Sequence, residues 1–196
     1  MIGQLRGNII EKQAPHVLID VQGVGYCVQV PLSTFFVIGD LGQEVVLRIH
    51  HVVREDAQLL FGFATKEECM LFQSIIKING VGPKIGLAIL SGLSVNEFME
   101  VIAQQSVGRL QKVPGIGSKT AQRIVVEMQD RLPALEKSSN KGILFIPNDS
   151  SQEAVEALMS LGYKQSEATK AVGKVQNKSQ NCEFIIKEAL QGLAKV

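Results

Sequence analysis

A glycine pair followed by lysine occurs twice in this chain, as Gly80-Val81-Gly82-Pro83-Lys84 and as Gly115-Ile116-Gly117-Ser118-Lys119. Apolar helical stretches flank each copy: Leu71 to Ile78 and Ile85 to Leu90 around the first, Arg109 to Val113 and Thr120 to Met128 around the second. The pattern predicts helix, tight hairpin, helix, twice over. Glycines accept positive φ and carry no Cβ to hold a ligand away, so hairpin N–H groups can point outward at the partly positive start of the second helix. A phosphate suits that place, and Lys84 and Lys119 add full charge at the same end. Such contacts touch nucleic-acid backbone and carry no sequence information.

Other glycine motifs fit less well. A Walker A loop requires glycine where Val113 and Ser118 stand, although Lys119-Thr120 matches its end. A dinucleotide-binding fingerprint requires a third glycine at Ile85 and a preceding strand, whereas Leu71, Phe72, Ile75 and Ile76 have helical spacing. Plain glycine turns between helices explain one copy more easily than two with lysine at the same offset. A DNA glycosylase places a catalytic aspartate after its hairpin; the acid available here, Asp130, follows a helix without the Gly/Pro-rich segment.

The chain has 196 residues, 45% of them hydrophobic, with no Trp and a net charge of +1. That length holds two or three small units with mainly aliphatic cores, and the near-neutral charge confines any nucleic-acid face to a local patch. Residues 1–64 are mildly acidic and the hairpin region mildly basic. Cys27, Cys69 and Cys182 lack C-x-x-C spacing and read as core thiols in a reducing compartment. His50-His51 on a strand would face opposite ways, so no shared metal and no cofactor is expected. No apolar run approaches the roughly 18 residues of a membrane span and no signal peptide is evident, which points to the cytoplasm.

Residues 1–64 alternate like strands: Val17, Ile19 and Val21; Tyr26, Val28 and Val30 after a Gly23-Val24-Gly25 turn; Val45 to Val53; and Leu59 to Phe63. A small closed barrel of OB-fold type is expected. Capping-box spacing at Thr65 to Glu68 and again at Ser94 to Glu97 opens a helical domain over 65–136 that holds both hairpins. Residues 137–149 read as a flexible linker. Ser150 to Glu153 then caps a unit over 150–196, with Ala154, Leu158 and Leu161, Ala168 and Val172, and Ile185, Ala189 and Leu190 on three short helices. The expected fold is multidomain α+β: an N-terminal OB-fold barrel, a central all-α tandem helix-hairpin-helix domain and a small C-terminal three-helix domain of UBA-like type. So small a core favours docking over catalysis.

This order of units resembles the RuvA family, the DNA-binding subunits of bacterial Holliday junction branch migration complexes. Met1-Ile2-Gly3-Gln4-Leu5-Arg6-Gly7, Val53 through Phe63 and Asn79 through Ser91 carry the resemblance at residue level. It implies a non-catalytic scaffold in DNA recombination, DNA repair and the SOS response to DNA damage. As a homotetramer, alone or paired as an octamer, it would hold four-way junction DNA open and planar. It also implies DNA contacts at Asn79, Gly80, Gly82, Lys84, Gly115, Gly117, Lys119, Thr120 and Arg123, with Ser118 standing where relatives often carry lysine. Glu55 and Asp56 would form an acidic pin at the crossover, although an exposed strand turn explains that pair without the family. The C-terminal unit would bind RuvB, the hexameric ATPase, through Leu158, Leu161 and Tyr163, although leucines at helical spacing are also ordinary core. RuvC resolvase is a further implied partner. Two rival classes stay open at this point, a structure-specific nuclease or glycosylase and a protein-binding adaptor.

Overall fold

The computed structural model describes residues 1–129, 131, 150–175 and 182–193. Alternating apolar residues build five strands, β1 (Gln4–Gln13), β2 (His16–Val21), β3 (Val24–Gln29), β4 (Glu44–Val53) and β5 (Gln58–Phe63), with helix α1 (Leu32–Val37) between β3 and β4. They close in the order β1-β2-β3-β5-β4. Antiparallel β1–β4 pairing and a short parallel β3–β5 pairing, Val28 beside Leu60, complete an OB-fold barrel. Leu5, Ile9, Val17, Ile19, Val28 and Leu47 fill it.

Three details differ from the expectations above. β1 escapes the alternation pattern, because a register shift between Ile9 and Glu11 breaks its period: Leu5 and Ile9 are buried, Ile10 and Glu11 are both exposed, and the next partly buried position is Lys12. The β2–β3 turn is Gln22-Gly23, both at positive φ, so Val24 and Gly25 already belong to β3. Cys27 is exposed and not a core thiol: Val28 takes the inward position and the pleat turns its neighbour outward.

The second layer is helical: α2 (Lys66–Ile75), α3 (Pro83–Gly92), α4 (Val95–Ala103), α5 (Val107–Gln111) and α6 (Ser118–Gln129). Both expected capping boxes are present, Thr65 with Glu68 and Ser94 with Glu97. Barrel and helices share a core. Phe72 of α2 has its ring centroid 5.2 Å from Phe61, 4.8 Å from Phe63 and 5.6 Å from His50. Gly86 of α3 packs against the same ring; a Cβ there would stand 2.9 Å from Phe72.

Glu68 adds a polar tie. Its carboxylate accepts from Ser33 Oγ at 2.8 Å, Thr34 Oγ1 at 3.3 Å and the Thr65 N–H at 3.3 Å. Thr34, fully buried, in turn accepts from the Ala64 N–H. The Leu32 N–H donates to Ser91 Oγ on α3. Residues Met1–Lys141 accordingly form one compact unit.

The other unit, Gly142–Val196, contains α7 (Ser150–Ser160), α8 (Gln165–Gly173) and α9 (Cys182–Leu193) around Ala154, Leu158, Ala168, Val172, Ile185 and Ala189. Ser150 lies within α7 and not before it. Leu161, expected inside, is 63% exposed because α7 ends at Ser160. The expected linker 137–149 and Asp130 lie outside the described residues. Among the described residues no single helix is long and apolar enough to cross a membrane.

His50 and His51 diverge as strand neighbours must: His50 packs on Phe72, while His51 Nδ1 accepts from the Ile2 N–H at 3.4 Å. Burial, then the charges of His51 and Lys77, hold His50 below its ordinary value of 6.5. The unfolded chain therefore binds this proton more readily, and the contribution is present above pH 6.5 and lost as pH falls below it. The midpoint of thermal unfolding should drop as pH falls from about 7 to about 5.5, and His50→Phe should flatten that part of the profile.

Candidate nucleic-acid interface

Each hairpin is held from beneath by two apolar residues that bracket its first glycine. Ile78 and Val81 are buried in the first, Val113 and Ile116 in the second. Matching bonds tighten the loops, Val81 N–H to Ile78 O at 3.0 Å and Ile116 N–H to Val113 O at 3.2 Å. The turn between the anchors requires φ of +83° at Gly80 and +86° at Gly115, a conformation costly for any residue with a Cβ.

The second glycines start the following helices. Gly82 is extended and its carbonyl accepts from the Ile85 and Gly86 N–H groups; the Gly117 carbonyl accepts from the Ala121 N–H. The N–H groups of Gly80, Gly82, Gly115 and Gly117 make no hydrogen bond among the described residues. Nothing lies within 4 Å of where a Cβ would stand on Gly82, Gly115 or Gly117. Each hairpin thus presents unused donors on an open surface.

The electrostatics separate these helices from the other helices longer than two turns; the short α1 and α5 also carry no acid in the first turn. α2, α4, α7, α8 and α9 all carry glutamate in the first turn, which answers the positive end of the helix dipole. α3 and α6 carry no acid there and place exposed Lys84 and Lys119 in that turn instead. The positive ends of these two longer helices are left without a first-turn counter-charge, which is what an anion requires. They are not equivalent. Pro83 gives the first hairpin no N–H at its first helical position, whereas Ser118 offers the second an N–H and a hydroxyl.

The remaining expected residues are distributed as follows. Thr120 is half-buried on the first turn of α6. Arg123 lies one turn further along, where its Nη1 donates to the Asn79 carbonyl of the first hairpin at 2.9 Å. Sequence reading groups Arg123 with the DNA contacts and misses this bond, since nothing local marks a partner 44 residues away. Glu55 and Asp56 are exposed at the β4–β5 tip, in a turn closed by the Arg54 N–H to the Ala57 carbonyl at 2.8 Å. In the C-terminal unit, Leu158 is wholly buried and cannot serve as a docking contact; its α7 position faces the core. Leu161 is exposed and Tyr163 packs partly against that core.

Family models match three stretches: "RuvA N terminal domain" over residues 1–62, "SAM-like Helix-hairpin-helix tandem" over 72–130 and "RuvA, C-terminal domain" over 149–194. Among curated relatives, a protein of Escherichia coli O9:H4 (strain HS) is 49% identical, covering 97% of this chain and 98% of its own length. One from Aliivibrio salmonicida is 47% identical over 98% of this chain and 100% of its own length, and one from Shewanella halifaxensis is 47% identical with the same coverage. All three are named Holliday junction branch migration complex subunit RuvA.

The hairpin geometry separates structural glycines from surface ones. Gly115→Ala must place a Cβ at positive φ and should cost about 1 kcal/mol in denaturant unfolding. Gly117→Ala meets open space and should leave the midpoint unchanged.

Proposed function

The chain belongs to the RuvA family, and from that premise we propose that it is the non-catalytic DNA-binding scaffold of a branch migration complex. It recognises four-way junctions without regard to sequence, holds them open and planar, and recruits a separate ATPase, RuvB, in DNA recombination and repair. The observation that carries this reading is the pair of acid-free helix ends, each with outward glycine N–H groups and a lysine, on one compact unit. Two anion cradles at fixed separation suit a repeating phosphate backbone, which a lone cradle would bind without orienting.

In this reading Gly80, Gly82 and Lys84 hold one stretch of backbone, with Asn79 at its edge. Gly115, Gly117, Lys119 and Thr120 hold another. Contacts made mainly by backbone amides are blind to base identity, so the duplex can advance by one phosphate and meet the same donors again. Glu55 and Asp56 stand at the strand-exchange point of the assembled homotetramer, where two carboxylates repel phosphates and keep continuous duplex from occupying the centre. Leu161 and Tyr163 of the C-terminal unit form the docking surface for RuvB. RuvC acts on the same junction, and the complex works in the cytoplasm.

The test is competition between a labelled immobile four-way junction and linear duplex of the same length, across a salt series without nucleotide. Junction preference should persist as salt rises; equal affinity for both forms at every salt concentration would overturn the scaffold reading. Lys84→Ala with Lys119→Ala should weaken binding to both DNAs and flatten the salt dependence, by about 0.9 in log–log slope for each phosphate that is no longer neutralised. Glu55→Gln with Asp56→Asn should raise affinity for duplex more than for junction, and unchanged discrimination would remove the acid pair from the mechanism.

A further inference from the structure

The bond from Arg123 to Asn79 joins the two hairpins. Arg123 follows Lys119 by four residues on α6, so both side chains leave the same face of the second hairpin's helix. The guanidinium crosses to the first hairpin and donates to the Asn79 carbonyl at 2.9 Å. The same Nη1 is 3.6 Å from where a Cβ on Gly80 would stand, so it lies directly against this peptide. Among the described residues, Asn79 O has no other hydrogen-bond partner.

Peptide planarity gives that bond a consequence. The Asn79 carbonyl and the Gly80 N–H belong to one rigid unit and point in opposite directions. Gly80, at φ +83°, sits where the backbone has more rotational freedom than elsewhere in the loop. A donor that grips the carbonyl therefore fixes where the N–H is aimed. The arrangement is not reciprocal. The position in α3 that corresponds to Arg123, four residues after Lys84, is Ala88, which has no side-chain donor.

We infer that Arg123 is a positioning residue for the first hairpin: by holding the Asn79 carbonyl it aims the Gly80 N–H and sets the spacing between the two phosphate cradles. This role rests on the reading of the hairpins as DNA contacts, and it assigns one donor of Arg123 to the geometry of those contacts. The planar fork of arginine suits the task, since its donors are fixed in direction by the group itself.

Full-length Arg123→Gln tests it in two ways. Without DNA, hydrogen exchange at the Val81 amide, which is bonded to the Ile78 carbonyl, should speed up while the matching Ile116 amide stays as in the parent, with the thermal midpoint unchanged. With DNA, junction affinity should fall by about three- to tenfold, the scale of removing one hydrogen bond. Adding Lys84→Ala should then cost less than it does in the parent, while adding Lys119→Ala should cost the same in both backgrounds.

Unchanged exchange at Val81 in the free protein overturns the proposal. So does coupling of Arg123 to Lys119 in place of Lys84, which would mark the two as neighbours on a shared phosphate. If Lys84→Ala and Lys119→Ala leave junction affinity untouched, the DNA reading of the hairpins fails, and the exchange measurement still decides whether Arg123 orders the loop.

Discussion

The phenylalanine at position 72 lies where three parts of the large unit meet. Its ring touches Phe61 and Phe63 of β5, His50 of β4 and the glycine face of α3. β5 begins just beyond the turn that carries Glu55 and Asp56, and α2, which carries Phe72, leads into the first hairpin. The separation between the acid pair and the hairpin is therefore set through one close-packed aromatic cluster. Interiors packed at crystal-like density do not yield gradually, so this joint is rigid on the scale of a phosphate spacing.

On that frame, function is assigned by what each helix does with its positive end. A folding protein ordinarily neutralises helix N-termini, and most helices here do so with a glutamate in the first turn, two of them in complete capping boxes. α3 and α6 are left unanswered and given lysines. The same backbone charge that stabilises one helix through its own side chain is thus kept available for an external anion in another. Fold and binding draw on a common physical source, and the placement of a few carboxylates decides which of the two it serves.

Much of this is legible in the sequence, for reasons that differ by element. The hairpins and capping boxes are encoded within a few residues, in Gly-x-Gly and in Thr or Ser with glutamate three positions on, so local chemistry suffices. β2 to β5 show through alternation. β1 is hidden because a register shift disrupts its period, and α1 because Leu-Ser-Thr-Phe-Phe-Val has the β-branched and aromatic content of a strand. Leu158 and Leu161 look alike by spacing; where α7 stops decides which is core. The common core of barrel and helices and the tie between Arg123 and Asn79 depend on distant partners, and single-sequence patterns carry no trace of those.

Glu68 closes the box at the start of α2 and receives the hydroxyls of Ser33 and Thr34 from the barrel side. Its two carboxylate oxygens serve both layers together, so the docked α1 helps hold the same carboxylate that caps α2. The barrel and the helix-hairpin-helix layer, though they look like separable modules in the sequence, are thereby made cooperative in their folding. Neither would gain its full stability as an isolated fragment, and partial opening of one would loosen the other.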